Sequence, residues 1–232
     1  MRIAIGTSGF QYPEWRGKFY PSDLPTAKML DYYTRHFETT ESNYSFRRIP
    51  SPKTIANWFE KTPANFSFSL KAPQRITHFA KLRDCAELVD TFWSVVRELH
   101  AKLGPVLFQL PPTLHRNDEL LEQFLRGLPE GMRAAFEFRH ASWFEDETIA
   151  ILKRFRCALC VAESSELATP RISTAGFGYL RLRREDYTNR ELAKWAEWIR
   201  SQPWKEAFVY FKHEEKAVGP AFAAKFQELS RR

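Results

Sequence analysis

Eight short apolar or alternating runs recur along the chain, each followed by a stretch of helical character, and that alternation leaves few ways to fold it. The runs are 2–7, 37–43, 66–71, 105–110, 133–139, 157–163, 177–183 and 207–213. Strand followed by helix calls for parallel neighbours joined by crossover connections. Eight such units in 232 residues fit a closed (β/α)8 barrel of TIM type, usually about 250 residues long. An open doubly wound sheet is the second architecture, because closure leaves no mark in a sequence. A single TIM-barrel domain over 1–232 is expected, since no linker, low-complexity segment or long like-charge run divides the chain. The sixth βα unit is expected to be irregular, because 164–175 has no helical period.

The helix starts carry capping chemistry. Ser51 before Pro52 predicts a capped helix with proline in its first turn, and Thr188 with Glu191 predicts a capping box. Asp84 with Glu87 reads as a second box, before a helix running to Gly104. Asn117, Asp146 and Thr26 are further candidate caps, and Pro220 is expected to open the last helix.

Composition narrows the function classes. Hydrophobic residues make up 44% and charged residues 27%, an ordinary globular mixture. The net charge of +7 favours anionic partners without naming one. Three cysteines, Cys85, Cys157 and Cys160, form no disulfide framework and point to a reducing, cytoplasmic location. Cys157 and Cys160 should face opposite ways on their strand. No apolar run is long enough to span a membrane and Met1 opens no signal-peptide pattern, so no membrane partner is expected. Gly is scarce at 9 residues, and GxGxxG, P-loop, HExxH and GxSxG motifs do not occur.

Strand parity then splits each run into two faces. Phe66, Phe68 and Leu70 oppose Ser67, Ser69 and Lys71; Phe136 and Phe138 oppose Glu137 and Arg139; Leu180 and Leu182 oppose Tyr179, Arg181 and Arg183. Thr39, Glu41 and Asn43 share a face of the second strand, the fourth carries Gln109, and the sixth ends in Glu163. If the apolar faces meet the outer helices, the polar ones point into the barrel. Almost every charge lies near the C-terminal end of its strand, where barrel enzymes place their chemistry.

The candidate catalytic residues are therefore Glu137, Glu41, Glu163 and Lys71, as carboxylate acid/base groups and a basic partner. Ser8, Tyr12, Trp15, Asn43, His78, Gln109, Arg139, His140, Trp143, Arg181, Arg183 and His213 are candidate substrate-binding residues. Each has a plainer reading. Glu137 could neutralise the barrel as the ion-pair partner of Arg139, Arg181 or Lys71. His140 could anchor its loop, and His78 or His213 could simply meet solvent. The first strand–helix connection interleaves Phe10, Tyr12, Trp15, Phe19 and Tyr20 with Arg16 and Lys18. It reads either as a stacking surface for bases or sugars, or as a packed cap.

The stretches GTSGFQYPEWRGKFYP, FETTESNYSF, KAPQRITH, LGPVLFQLPP and EFRHASWF resemble, in order and spacing, the YecE-like family known as domain of unknown function 72. The resemblance runs over essentially the whole chain. It implies a TIM barrel and no particular reaction, and it places Glu41, Asn43, Lys71, His78, Gln109, Glu137, Arg139, His140 and Trp143 at polar or aromatic motif positions. Where many members have RLHG and FNND, this chain has Arg181-Leu182-Arg183-Arg184 and Phe211-Lys212-His213-Glu214, which adds charge at the mouth.

Three functions stay open. The leading one is an enzyme binding a small anionic or phosphate-bearing substrate at the C-terminal mouth, with Lys71, Arg139, Arg181 and Arg183 on the anion. The others are a nucleic-acid-binding or processing barrel, similar in architecture to apurinic endonucleases, and a non-catalytic scaffold. No cofactor is expected. A divalent metal on Glu41, Glu137, Glu163 and His213 is a lesser alternative, since lysine and arginine compete for the same carboxylates.

Overall fold

The computed structural model describes residues 1–163, 167–212 and 217–231. Eight strands pair in parallel, each with its sequence neighbours, and β1 pairs β8 to close the barrel. They are β1 Arg2–Ser8, β2 Thr39–Ser42, β3 Ser67–Lys71, β4 Leu103–Gln109, β5 Ala134–Glu137, β6 Ala158–Glu163, β7 Phe177–Leu182 and β8 Glu206–Phe211. The expected TIM barrel is the observed fold, and the open sheet is not. Outer helices follow most strands: α1 Met29–Tyr33, α2 Tyr44–Arg47 and α3 Pro52–Glu60, then α4 Ala86–Val96, α5 Asp118–Arg126, α6 Asp146–Arg154, α7 Asn189–Arg200 and α8 Val218–Ser230. Among the described residues none between β6 and β7 is helical, as the missing period predicts. There Thr174 Oγ1 accepts from Leu159 N and donates to the carbonyl of Cys157, replacing a helix with side-chain pairing.

The caps divide. Ser51 accepts from Thr54 N, Asn117 from Leu120 N, and Thr188 with Glu191 closes a full capping box. Asp84 does not cap α4. The chain passes Lys81, Leu82 and Asp84 in left-handed conformations, so Cys85 enters the helix first, with no side-chain cap. Gly104 lies inside β4, and a left-handed His100 at φ 47° ends the preceding helical turn instead. Glu145 rather than Asp146 holds the N-cap position of α6, without a side-chain capping bond; Thr26 sits in a short 3-10 turn, and α8 begins two residues before Pro220.

Burial follows the predicted parity. Phe68, Leu70, Phe136, Phe138, Leu180 and Leu182 pack outward with the helices in one large apolar cluster. Inside the barrel a smaller cluster gathers Ala4, Leu107, Ala135, Cys160, Ala162, Phe177, Tyr179, Phe208 and Tyr210. Cys157 and Cys160 accordingly lie in different clusters, and all three cysteines are free thiols. The barrel is tight enough at β1–β2 that a Cβ on Gly6 would stand 2.0 Å from the Thr39 carbonyl oxygen. Among the described residues no helix is long and apolar enough to cross a membrane.

Below the sheet, buried Lys102 closes the C-terminal end of α3. Its ammonium donates to the carbonyls of Phe59 and Thr62 at 2.5 and 2.6 Å and to Thr62 Oγ1 at 3.2 Å. Cations suit a helix C-terminus, where the last carbonyls lack amide partners. Replacing Lys102 by Met strands those carbonyls out of water. We expect Lys102→Met to lower the unfolding free energy by about 1–3 kcal/mol in urea titration, with the denaturant slope unchanged.

Candidate active site

The upper layer of the barrel is built from side chains that parity turns inward. Ser8 pairs with Glu41 across β1–β2, and Gln109 with Glu137 across β4–β5. In parallel strands such pairs share a face. Ser8 Oγ therefore donates to Glu41 Oε1 at 2.5 Å, and Gln109 Nε2 to Glu137 Oε2 at 2.9 Å. Arg139, two residues past Glu137, curls back to give Nε to Glu137 Oε1 at 2.9 Å.

Arg181 ties the two halves together. From β7 its Nη1 donates to Glu137 Oε2 at 2.5 Å, and its Nη2 donates to Glu41 Oε1 at 2.9 Å and Ser8 Oγ at 3.3 Å. Glu41, Glu137 and Arg181 are each 1% exposed or less. The inward residues of neighbouring β6 are Ala158, Cys160 and Ala162, and their small side chains leave the lumen open for a guanidinium to cross. Tyr179 below it completes Glu41 by donating to Oε2 at 2.7 Å. Arg181 Nε has no acceptor among the described residues.

The electrostatics of the two kinds of group differ. Burial pushes the Glu137 carboxyl upward, but the Arg181 and Arg139 guanidiniums and the Gln109 amide outweigh it and hold it well below the usual carboxylate range. Arg183 Nη1 adds a longer contact at 3.6 Å. Such a carboxylate is a fixed charge. The geometry thus favours the ion-pair reading of Glu137 over a proton-transfer role, with Arg139 and Arg181 rather than Lys71 as its partners.

Lys71, at the end of β3, is buried differently. Its ammonium lies 3.6 Å from the centroid of the Phe46 ring, and among the described residues it makes no ion pair with a carboxylate. Burial and the nearby Arg181 charge bring its pKa down to about 7, against the pull of Glu41 and Glu137. His78 also packs on Phe46, the two rings near perpendicular at 5.0 Å, with Nδ1 2.9 Å from Thr77 Oγ1. Burial, then Lys71 and Arg139, lower its pKa too. His78 belongs to a single π-turn, Arg75–Phe79, a rare geometry often found at functional sites.

Several expected site residues lie elsewhere. Glu163 turns away from the lumen: its Oε2 accepts from Tyr187 Oη at 2.8 Å and from Trp195 Nε1 of α7 at 3.1 Å. An odd position on β6 faces the helices, so this carboxylate does not join Glu41 and Glu137. Trp143 is fully buried, stacked on Phe138 at 4.7 Å, with Nε1 donating to the Leu114 carbonyl. Trp15 is buried as well, and Phe10 and Phe19 pack on Tyr33 of α1. The first connection is thus the packed cap, and only Tyr12 of the two chosen there keeps a partly exposed ring. His140 anchors its loop through Ser142 and stacks on His115 at 3.9 Å. His213 lies outside the described residues. Of the three metal-ligand candidates among the described residues, Glu41 and Glu137 converge, with Arg181 between them, and Glu163 does not; among the described residues no three His, Cys, Asp or Glu side chains form a metal-holding group.

Two members of the site were not chosen from sequence. Tyr179 shares the polar face of its strand with Arg181, and that parity is its signal in the sequence. Phe46 gave none, because the approach of a lysine from β3 to a ring on α2 is purely tertiary.

Comparison with known proteins agrees with this architecture. The family described as "Protein of unknown function DUF72" matches residues 4–232. The UPF0759 protein YecE of Escherichia coli is 32% identical over 152 residues, 63% of this chain and 53% of that protein, so the chain covers about half the length of this relative. The UPF0759 protein YunF of Bacillus subtilis is 26% identical over 234 residues, 93% of this chain and 80% of that protein. The crystal structure of a DUF72 family protein from Thermotoga maritima has a TM-score of 0.88 at 26% identity, with 100% of both chains covered. A GH5_18 protein from Bifidobacterium longum, in complex with Manb1-4GlcNAc, has a TM-score of 0.58 at 12% identity over 100% of this chain and 78% of its own, a likeness of fold alone.

The buried clamp predicts an acid-sensitive fold. Glu137 titrates below its unfolded value of about 4.3, so its stabilisation is complete above that pH and is lost as pH falls through the folded value. Glu137→Gln leaves Arg181 short of one charge and should cost about 3–5 kcal/mol at pH 7. Melting curves from pH 7 to pH 3 should show a smaller acid slope in the variant. Equal melting temperatures and equal slopes would remove the clamp from the stability account.

Proposed function

The chain belongs to the DUF72 family of proteins of unknown function, and from that premise we propose an enzyme that takes a small anionic substrate at the C-terminal mouth, with Lys71 as its proton-transfer group. One observation carries the reading. Lys71, Arg139, Arg181 and Arg183 converge on the lumen against two carboxylates, and both carboxylates are held by Arg181 beneath the rim. The excess charge is positive and sits where barrel enzymes bind substrate. Arg139 and Arg183 keep their side chains 28% and 21% exposed, so their guanidinium forks suit a phosphate or carboxylate.

Each group then has a role. Arg139 and Arg183 hold the anion. Lys71 is poised near neutral pH to give or take a proton, because burial has removed the solvation that keeps a lysine charged. Glu137 is a positioning residue, fixing the two arginines that flank it. Glu41, joined to Ser8 and Tyr179, holds the other end of Arg181. An arriving anion would raise the Lys71 pKa, so binding and proton affinity rise together.

The test is direct. In protein whose lysines carry 13C-labelled methyl groups, one resonance, assigned by its absence in Lys71→Arg, should titrate near pH 7. Inorganic phosphate should move that midpoint upward. In a turnover screen of phosphorylated and carboxylated metabolites, Lys71→Met should lose about 10²–10⁴-fold in kcat with its melting temperature held. A Lys71 midpoint above 9, indifferent to phosphate, would end this reading.

A further inference from the structure

We infer that the groove between the β1 and β2 loops seats a neutral, polyhydroxylated ring the size of one pyranose, belonging to the substrate whose anion sits at Lys71. The inference rests on the reading of the mouth as an anion site. The groove has a volume of about 270 Å³. That lies just under the range of roughly 300–1,000 Å³ typical of sites for drug-sized ligands, so it takes one ring rather than two.

Its walls set the chemistry. Every residue lining it is uncharged, although the chain carries +7 overall; the guanidinium of Arg48 stands 4.6 Å from the centre of the Tyr44 ring. Tyr12, Tyr44 and Trp58 supply apolar faces, while Gln11, Asn43 and Thr54 supply neutral hydrogen-bonding groups. Apolar faces with amides and hydroxyls between them match a ring with C–H faces and hydroxyl edges. Tyr44 and Trp58 meet at 78°, so they do not form the parallel slot that would sandwich a flat base. Trp58 is locked by stacking on Phe68 at 5.1 Å, and Tyr12 Oη by donating to the Ser8 carbonyl at 2.9 Å. The walls are preformed.

The groove also communicates with the charged layer. Asn43 Nδ2 donates to Ser8 Oγ at 3.0 Å, and Ser8 donates to Glu41, so the floor of the groove is one end of the Arg181 clamp. The short helix α2 carries Tyr44 on the groove and, two residues on, Phe46 under the Lys71 ammonium. Tyr44 and Phe46, two residues apart, present different faces of that turn, so α2 stands between the two seats. The substrate inferred is a sugar phosphate that reaches around α2, with its ring in the groove and its phosphate toward Lys71.

Calorimetric titration with inorganic phosphate, glucose 6-phosphate and adenosine monophosphate tests this. Glucose 6-phosphate should bind at least tenfold tighter than phosphate. Tyr44→Ala should erase that advantage while leaving phosphate affinity unchanged, and Gln11→Ala, at an exposed position, should reduce it. Equal affinities for phosphate and glucose 6-phosphate would overturn the inference, as would a Tyr44-dependent gain for adenosine monophosphate instead. If glucose 6-phosphate gains through Tyr44 while phosphate binding ignores Lys71→Met, the groove stands and the anion reading falls. Absence of binding by all three overturns both.

Discussion

One guanidinium crossing a barrel lumen organises this molecule. Arg181 is buried to 1% exposure and holds Glu137 from β5 and Glu41 from β2, with Ser8 of β1 in the same network. A buried charge costs several kcal/mol unless its partners meet it with good geometry. Here both carboxylates are also finished by neutral donors, Gln109 on one and Tyr179 and Ser8 on the other. The clamp therefore fixes four strands to one another across the lumen, where an apolar plug would fill space without registering them. It also spends the carboxylates, and that decides what the rest of the mouth can be. Lys71, Arg139 and Arg183 are left at the mouth of the lumen with more positive than negative charge.

Space makes the clamp possible. The inward side of β6 offers only Ala158, Cys160 and Ala162, and these short side chains admit the long reach of Arg181. On the floor below, Tyr210 links Thr39 and Ser69 at 2.8 and 2.7 Å, so the layer under the charges is polar yet closed. Lys71 then emerges above this layer against Phe46, a ring that offers its face to a cation without neutralising it. A lysine in that setting keeps its reactivity, whereas one paired with Glu137 would be a spectator.

Much of this was legible in the sequence, because period two is a strong constraint. FSFSLK, AFEFR and YLRLR each divide cleanly, and the division places Lys71, Glu137, Arg139, Arg181 and Arg183 in the lumen. The same rule, counted from inward-facing Cys160, turns Glu163 toward the helices; its place at the end of a strand is not enough to put it in the lumen. Aromatic residues deceived for another reason. Trp15 and Trp143 stand in polar, motif-rich stretches, yet burial of their rings against helices outweighs exposure to a ligand. The capping motif at Asp84 failed because left-handed residues before α4 turn its side chain out of the cap position. Contacts between distant elements, such as Phe46 with Lys71 or Arg181 with Glu41, have no local signature at all.

The central claim is that the clamp occupies both carboxylates and leaves the basic rim for an anion. Crystals grown with selenate, with anomalous diffraction collected at the selenium edge, test it in one experiment. The account predicts a selenate at the C-terminal mouth within hydrogen-bond distance of Lys71, Arg139 and Arg183, with Arg181 still bridging Glu41 and Glu137. A mouth free of selenate, with Lys71 turned down into an ion pair with Glu137, would contradict it.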